Sequence, residues 1–197
     1  MDITEMFAKR HSFYALNNKI NLSRNEMTDL IKTTLKLYPS PFNSQSARLV
    51  VLYDKEHQNF WHLVEDALLK TAPKEKADGI KQRINGFRAG YGTILYFIDN
   101  EIVKEEEKQM PLYAANFKTW AHHSNAMLQY MIWTALANTN IGASLQHYNP
   151  LIDKEVAETY KISSNWELVA QMPFGGIVST PVAHSFENID DKLIVKV

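Results

Sequence analysis

The chain has 197 residues, of which 45% are hydrophobic and 22% are charged, the balance of an ordinary globular protein. The formal net charge of −1 gives no bulk attraction to nucleic acid or to an anionic membrane surface. Cysteine is absent, which excludes disulfides, thiolate metal ligands and cysteine nucleophiles.

The first part of the chain predicts two helices and one strand. Residues 4–10 predict a short helix, and the surrounding MDITEMFAKRHSFYAL lacks the apolar run of a signal peptide, so a cytoplasmic protein is expected. A capping box, Ser23 with Glu26 three residues later, opens a second helix over 24–37, where apolar residues recur at helical spacing. The continuous apolar run RLVVLY at 48–53 predicts a strand that is covered on both faces.

The middle of the chain predicts four helices and a second strand. Helices are expected over 56–71, 74–88 and 101–108, and GTILYFID at 92–99 predicts a buried strand. The most hydrophobic helix runs over 117–138, with apolar residues on nearly all sides. Such a helix is enclosed by its own domain or by a partner subunit. No stretch approaches the ~18 apolar residues of a membrane span, so no membrane partner is expected.

The last part of the chain completes the predicted fold. It comprises a polar loop at 142–150, a helix at 153–161, a strand at 166–172 that ends at PFGG, and a short basic strand at 192–197. The element order predicts one domain over residues 1–197, of α+β or α/β class, with a small sheet wrapped by many helices. Residues 181–197 are long enough to leave the body and to add a strand to a partner subunit.

The motifs exclude several common chemistries. The glycines of GFRAGYGT close a predicted helix and precede a strand, the reverse of the order in a dinucleotide-binding fingerprint. A helix C-cap and a turn are the ordinary interpretation of this segment. The seven histidines form no H-E-x-x-H or comparable ligand pair, so no metal site is predicted. There is neither a P-loop spacing nor a G-x-S-x-G nucleophile elbow.

Polar residues that suit ligand binding occur in three short segments. Arg10 and Ser12 are placed to hold a phosphate through charge-assisted hydrogen bonds, although a surface arginine and a capping serine fit the same pattern. Residues 43–48 offer amides and an arginine that suit a flat heteroaromatic ring, or that bond the local backbone of a loop. The segment SLQHY at 144–148 follows the apolar helix, where backbone N–H groups are available to a ligand.

Taken together, these segments resemble the nitroreductase family of FMN-dependent oxidoreductases. The likeness is strongest to a short subgroup that includes bacterial copper-induced nitroreductase and yeast fatty-acid-repression-type proteins. It runs through nearly the whole chain and implies an α+β fold with a small central mixed sheet. Its landmarks are RHSFYAL, PSPFNSQSARLVVL, GFRAGYGTILYF, YAANFKTW, IGASLQHYNPLID and FGGI.

The resemblance implies a homodimer with two FMN sites at the interface, each built from both chains. Residues 10–12 of one chain would contact the FMN phosphate and ribityl chain, with Lys192 as a second phosphate ligand. Residues 39–43 of the other chain would contact the isoalloxazine ring. Gln45 and Arg48 would reach the ring edge or the ribityl chain, and Arg48 would be a cation near N1 and O2.

Further positions follow from the same resemblance. Backbone groups of Gln146 and His147 would face N5 and O4 of the flavin. Arg83 and Arg88 match basic positions of relatives, and the resemblance does not say which of them, if either, contacts the flavin. Tyr14 stands where larger nitroreductases often carry a basic residue, so the flavin's pyrimidine edge must be contacted differently. The full set implied at the cofactor is Arg10, His11, Ser12, Pro39, Asn43, Gln45, Arg48, Gln146, His147 and Lys192.

The implied activity is carried by the flavin, with no catalytic side chain of the protein. NADH or NADPH would deliver hydride to flavin N5, and a small aromatic acceptor, a nitroaromatic or a quinone, would be reduced at the same place in ping-pong fashion. Phe42, Phe117 and Trp120 either line the acceptor channel or pack in the core. A part in a stress response is expected. The alternative is a flavin-binding redox sensor with little turnover; a hydrolase lacks support from any motif.

Overall fold

The computed structural model describes residues 2–179, 181 and 185–196, and this part of the chain forms seven α-helices and five strands. The helices are α1 (Ile3–Lys9), α2 (Arg24–Leu37), α3 (Asp54–Thr71), α4 (Ala77–Arg88), α5 (Asn100–Gln109), α6 (Ala114–Asn138) and α7 (Asp153–Tyr160). The strands are β1 (Leu16–Asn17), β2 (Ala47–Tyr53), β3 (Gly92–Asp99), β4 (Gly142–Ala143) and β5 (Trp166–Ile177). Short 3-10 turns lie at Pro41–Asn43, Lys74–Lys76 and Pro111–Tyr113.

The five strands form one sheet in which β5 has partners on both edges. The strand order is β1-β5-β3-β2, and β4 pairs with β5 beside β1. All pairings between these strands are antiparallel, and a parallel contact in the described chain is limited to an isolated bridge between Ser12 and Ala143. The predicted α+β class is confirmed, and the parallel part of the expected mixed sheet is this one bridge.

Helices cover both faces of the sheet, as the continuous apolar strands predict. All eight residues of β3 are buried. Alternate side chains of β2 and β3 enter two different cores, because successive strand residues face opposite sides. One core lies under α2 and α6 and includes Met27, Ile94, Tyr96, Leu128, Ile132, Met172 and Phe174. The other lies under α3, α4 and α7 and includes Phe60, Trp61, Ile84, Phe87, Leu95, Phe97 and Val156.

A β-bulge interrupts the pairing of β3 with β5. The register shifts between Tyr96 and Phe97, so Val169 of β5 has no partner residue in β3. The side chain of Asn125, which is buried on α6, donates a 2.9 Å hydrogen bond to the Phe97 carbonyl. An extra residue in one strand disturbs the ladder locally and leaves backbone groups to be satisfied by other partners.

The structure departs from the sequence expectations at three places. The strand predicted to stop before PFGG continues through it to Ile177, and the short strands β1 and β4 were not expected. The strand predicted at 192–197 is absent from residues 192–196, and Val197 lies outside the described residues. Residues 185–196 lie exposed and form no strand.

Helix α6 is enclosed on most sides, but its own domain does not cover it completely. Met127 and Tyr130 are exposed large apolar residues on one side of this helix. Of the two predicted ways of enclosing this helix, its own domain therefore leaves one side open. No helix in the described part of the chain is long and apolar enough to cross a membrane.

A buried histidine links α3 to β3 and to the end of α4. His57 is 1% exposed, with Nε2 3.1 Å from the Arg88 carbonyl and Nδ1 2.8 Å from the Thr93 hydroxyl. Because a carbonyl only accepts, Nε2 carries the proton, and the Thr93 hydroxyl donates to Nδ1. That hydroxyl also accepts from the Trp61 indole at 2.9 Å. Burial lowers the pKa of His57 to about 4.

The His57 site predicts a pH dependence of stability. Below the ordinary histidine pKa of about 6.5 the unfolded chain gains a proton that the folded chain does not, so stability is full above pH 6.5 and falls towards pH 4. The loss from this group is about 3 kcal/mol. Urea unfolding of the wild type, His57→Gln and the exposed-site control His123→Gln from pH 7.5 to pH 4 measures it. Only His57→Gln should flatten the curve; parallel curves for all three proteins would contradict the assignment.

Candidate functional site

The segment after β4 continues beside β5 in one antiparallel register. The Ser144 N–H donates to the Pro173 carbonyl at 3.3 Å. The Gln146 N–H donates to the Gln171 carbonyl at 2.8 Å, and the Gln171 N–H returns a bond of 2.9 Å to Gln146. The Tyr148 N–H then donates to the side-chain oxygen of Gln171 at 2.9 Å. Every second amide of residues 144–148 is thus directed at β5.

The intervening amides face the opposite side, because the hydrogen-bonding direction alternates along an extended strand. Residues 12–14 run on that side: Ser12 bridges Ala143, and the Phe13 N–H donates to the Ala143 carbonyl at 3.0 Å. By this alternation the N–H groups of Leu145 and His147 face away from β5, and neither has an acceptor within the residues that the structure describes. Two backbone donors on the side away from β5 are therefore unused.

A cleft of about 550 Å³ opens between residues 12–15 and helix α4. Its volume lies in the range of small-molecule and cofactor sites. Gly79 of α4 leaves room there, since a Cβ at this position would meet no atom within 4 Å. The lining residues are Ser12, Phe13, Tyr14, Ala15, Gly79, Gln82, Arg83, Gly86, Ser179 and Pro181.

Arg83 supplies positive charge to this cleft, whereas Arg88 does not. The Arg83 guanidinium is exposed and has no ion-pair or hydrogen-bond partner among the described residues. Burial raises the pKa of Tyr148, and the charge of Arg83 opposes that rise, which places Arg83 near the 144–148 segment. Arg88 instead forms a 2.8 Å ion pair with Glu65 and contacts His62. The structure thus separates two arginines that the sequence left equivalent.

Of the three residues predicted at the phosphate, one lines the cleft. Ser12 does so, beside its bridge to Ala143. The Arg10 guanidinium stacks on the Trp133 ring, 4.4 Å from its centroid, between α1 and α6. The His11 ring makes an edge contact with Phe13 at 6.5 Å between centroids. Arg10 and His11 therefore precede Ser12 in the chain but do not line the cleft.

Gln45 and Arg48 lie at the other end of the sheet. Arg48 pairs with Phe97 near the end of β3, whereas Phe174, the partner of Ala143, pairs with Gly92 at its beginning. The two ends are separated by roughly 15–20 Å along the strands at the usual rise per residue. Within one chain, the structure does not bring Gln45 and Arg48 together with Ser12.

The Arg48 guanidinium is occupied by partners within the fold. It lies 3.2 Å from the Asp99 carboxylate, and it donates to the carbonyls of Gln45 at 2.8 Å and Ala47 at 2.9 Å. A separate cleft of about 260 Å³ lies next to it, lined in part by Trp166. Among the described residues, Arg48 is therefore ion-paired within the fold, whereas the Arg83 guanidinium has no such partner.

The PSPFN loop at residues 39–43 packs on helix α6. Pro39 borders an apolar depression with Met127 and Tyr130, the exposed large apolar residues of this helix. Phe42 is 58% exposed although its ring contacts an aromatic cluster. That cluster consists of Tyr113, Phe117 and Trp120, at centroid distances of 6.0, 5.8 and 6.2 Å from Phe42.

The backbone of this loop is strained. Phe42, Asn43 and Gln45 have φ values of 49°, 58° and 49°, in the left-handed region that disfavours residues with a side chain. Such conformations persist where the surroundings enforce them, and they cluster at functional sites. Here the Ser40 hydroxyl accepts the Gln45 N–H at 3.0 Å, which closes the loop.

The two remaining predicted regions differ from the expectation in part. The Gln146 N–H and carbonyl both bond to Gln171, whereas the His147 N–H has no acceptor among the described residues. Lys192 forms an ion pair with Glu187 of the same tail. Sequence reasoning missed Gln171; the available signal was a polar residue within the apolar strand WELVAQM, where burial without a partner is costly.

Known proteins match the chain over most of its length. The model of the Nitroreductase family matches residues 7–176. HBN1 of Saccharomyces cerevisiae is 30% identical over 174 residues, which cover 87% of this chain and 86% of that protein. The nitroreductase with bound FMN from Desulfitobacterium hafniense shares the fold, with 18% identity, a TM-score of 0.72, and coverage of 98% of this chain and 97% of that one.

Nitroreductase CinD from Lactococcus lactis is similar in both sequence and structure. Its complex with nicotinic acid has 32% identity and a TM-score of 0.91. Its complexes with chloramphenicol and 4-nitrophenol have 34% and 33% identity, with TM-scores of 0.88 and 0.87. Each match covers 99% of this chain and 100% of that chain.

The different surroundings of two arginines predict different effects on stability. Arg48→Met should lower the free energy of unfolding by about 1–2 kcal/mol, because Asp99 loses its ion pair inside a partly buried site. Arg83→Met removes an unpaired surface charge and should change it by less than about 0.5 kcal/mol. Urea unfolding of the ligand-free variants at neutral pH measures both. Equal losses of the free energy of unfolding in both variants would show that the ion pair of Arg48 does not stabilise the fold.

Proposed function

Because the chain belongs to the nitroreductase family, we propose that it is an FMN-dependent oxidoreductase that uses NADH or NADPH to reduce nitroaromatic or quinone-like acceptors. Family membership supports the oxidoreductase class. The D. hafniense nitroreductase has bound FMN, which supports the cofactor. CinD forms complexes with 4-nitrophenol and chloramphenicol, which support nitroaromatic acceptors, and with nicotinic acid, whose pyridine ring resembles that of nicotinamide.

The observation that carries the proposal is an unpaired cation at one cleft. Arg83 lines the cleft without a partner among the described residues. The His147 N–H faces away from β5 and has no acceptor among them either. FMN, when bound, would accept electrons from the nicotinamide at N5 and give them to the acceptor. The chain would supply a fixed cation for the charge that develops at N1 and O2, and an amide donor near N5 and O4.

The polar end of the cofactor has matching groups nearby. The Ser12 hydroxyl lines the cleft and would donate to the ribityl chain or to the phosphate. Arg10 and His11 lie next to it in sequence, and the Trp133 ring supports the Arg10 guanidinium at 4.4 Å. Lys192 would join them as a second phosphate cation once the tail folds against a partner. Tyr14, which is exposed on the cleft wall, leaves Arg83 as the basic group for the pyrimidine edge.

The site is completed by a second copy of the chain in our proposal. Residues 39–43 lie far from the cleft within one chain, so their contact with the same FMN requires a partner. The exposed side of α6, with Met127 and Tyr130, is the apolar surface that this partner would cover. Residues 185–196 carry further exposed apolar residues that the partner would cover: Phe186, Ile189, Leu193, Ile194 and Val195.

Substitutions at the cleft test the cofactor site. Gly79→Ala should fold with equal or up to about 1 kcal/mol greater stability, because a helical glycine is replaced where space is free. Gly79→Leu should weaken FMN binding at least tenfold, because its side chain extends into the cleft.

Arg83→Met should keep the fold and slow flavin reduction. Quenching of FMN fluorescence gives the affinities, and anaerobic bleaching by NADH and by NADPH gives the rates.

The wild-type protein decides the cofactor and the activity separately. We expect a yellow protein. NADH or NADPH should bleach its bound flavin faster than the same nucleotide reduces free FMN. A colourless wild type that does not take up FMN would refute the cofactor assignment. A yellow protein reduced no faster than free FMN would refute the oxidoreductase and favour a sensor with little turnover.

A charge on the exposed side of α6 tests the dimer. The wild type should have twice the 22.7 kDa mass of one chain in solution. Met127→Glu should dissociate it and release FMN, because the new carboxylate would be buried between two copies. Leu151→Glu is the matched control, since Leu151 is similarly exposed (37% against 42%) but precedes α7 on the other side of the sheet. A monomeric wild type, or a Met127→Glu protein that stays dimeric, would contradict the interface.

A further inference from the structure

We propose that Arg48 is a positioning residue for the FMN site of the partner subunit, because it holds Gln45 in the conformation that closes the loop of residues 39–45. The inference rests on the proposed function, in which residues 39–43 of one chain contact the FMN that the other chain binds. It deepens that function by assigning the shape of this 39–45 loop to a side chain outside it. Arg48 acts through the loop backbone and not through a contact with the cofactor.

Both peptide groups that flank the Gln45 Cα are held by side chains. On the N-terminal side, the Gln45 N–H donates to the Ser40 hydroxyl at 3.0 Å. On the C-terminal side, the Gln45 carbonyl accepts from Arg48 Nη1 at 2.8 Å. The φ and ψ angles of a residue are the rotations between its two flanking peptide groups. The two bonds together therefore hold Gln45 at its φ of 49°.

The loop needs this support because its backbone is strained. Phe42 and Asn43 have positive φ values like Gln45, and residues with a Cβ stay in this region where their surroundings enforce it. The Asn43 N–H donates to the Ser40 carbonyl at 3.1 Å, a bond that lies within the loop. The bond from Arg48 instead ties the loop to β2, the strand that carries this arginine.

Asp99 fixes the position of the Arg48 guanidinium. Its carboxylate lies 3.2 Å from Arg48 Nη2. It also accepts from the Trp166 indole at 3.2 Å and from the Glu101 N–H at 3.1 Å. Asp99 ends β3, Trp166 begins β5 and Glu101 lies in α5, so this carboxylate is held where three elements of the fold meet. A charge-assisted pair is strong, and Arg48 thus connects the loop to a fixed point.

The effect of this connection falls on the partner's cofactor. The 39–45 loop lies at the opposite end of the sheet from the cleft of its own chain, so it meets an FMN across the proposed dimer. A preorganised loop binds without a further ordering cost, whereas a loop that has left the left-handed conformation must be ordered again on binding. Loss of Arg48 should therefore weaken the site of the other chain, which a general loss of stability would not do selectively.

Mixed dimers test this direction. Arg48→Met should weaken FMN binding about tenfold in both sites of its homodimer. A mixed dimer of an Arg48→Met chain and a Gly79→Leu chain combines both defects in one site and leaves the other site intact, so that site should bind FMN with the wild-type affinity. If Arg48 acted on the cleft of its own chain, each site would carry one defect and no site of wild-type affinity would remain. Separate affinity tags isolate the mixed dimer, and FMN fluorescence titration measures both sites.

The conformation of Gln45 is measured in the cofactor-free protein by nuclear magnetic resonance. A positive φ brings the amide and α hydrogens of a residue close together, so the nuclear Overhauser effect between them is strong. The wild type should show this strong signal at Gln45, and Arg48→Met should lose it. Asp99→Asn retains acceptors for Trp166 and Glu101 but not the charge that holds Arg48. It should weaken the signal in the same direction.

Met27→Ala is the control for general stability, since it removes buried contacts at the start of α2, away from the loop and from the cleft. It should leave the FMN affinity and the Gln45 signal unchanged. Two weak sites in the mixed dimer, an unchanged Gln45 signal in Arg48→Met, or an equal loss of FMN affinity in Met27→Ala would overturn the role of Arg48 while wild-type FMN binding stays intact. A wild type that binds no FMN would instead refute the proposed function and this role together.

Discussion

The backbone hydrogen bonds on both edges of β5 are the constraint on which the rest of the structure depends. One edge pairs with β3 and closes the two cores; the other edge carries β1, β4 and the segment up to residue 148. Gly175 and Gly176 allow this crowding, since a Cβ at Gly175 would lie 2.4 Å from the Asn17 carbonyl. A strand that orders the core thereby also sets the direction of each amide beside the cleft.

The sequence predicts those elements whose cause is local. The capping box at Ser23 begins α2, and the apolar run of β3 is buried over its full length. It does not predict β1 and β4, because two residues are too few for a period to appear. PFGG predicts the end of a strand, because glycine and proline commonly mark turns. In the fold, the glycines serve close approach between strands, which only the tertiary structure shows.

The candidate site was predictable in its segments but not in its charges. Ser12 of RHSFYAL bridges Ala143, the residue directly before SLQHY, so these two segments lie next to one another. Which arginine is available is decided by a distant carboxylate: Asp99 neutralises Arg48, while Arg83 has no such partner in the described chain. Ion pairing between positions far apart in the chain leaves no periodic signal, so residue type alone does not distinguish a ligand cation from a structural one.

Arg48 would nevertheless bear on the proposed function through the strained loop that precedes it. Its guanidinium binds the Gln45 carbonyl, at the end of a stretch where Phe42, Asn43 and Gln45 all have positive φ. In the proposed homodimer this loop would serve the partner's cofactor, at the opposite end of the sheet from the chain's own cleft. The pair of Arg48 with Asp99 would then preorganise a neighbour's site. Each flavin would thus depend on the internal hydrogen bonding of the partner chain as well as on the chain that holds it.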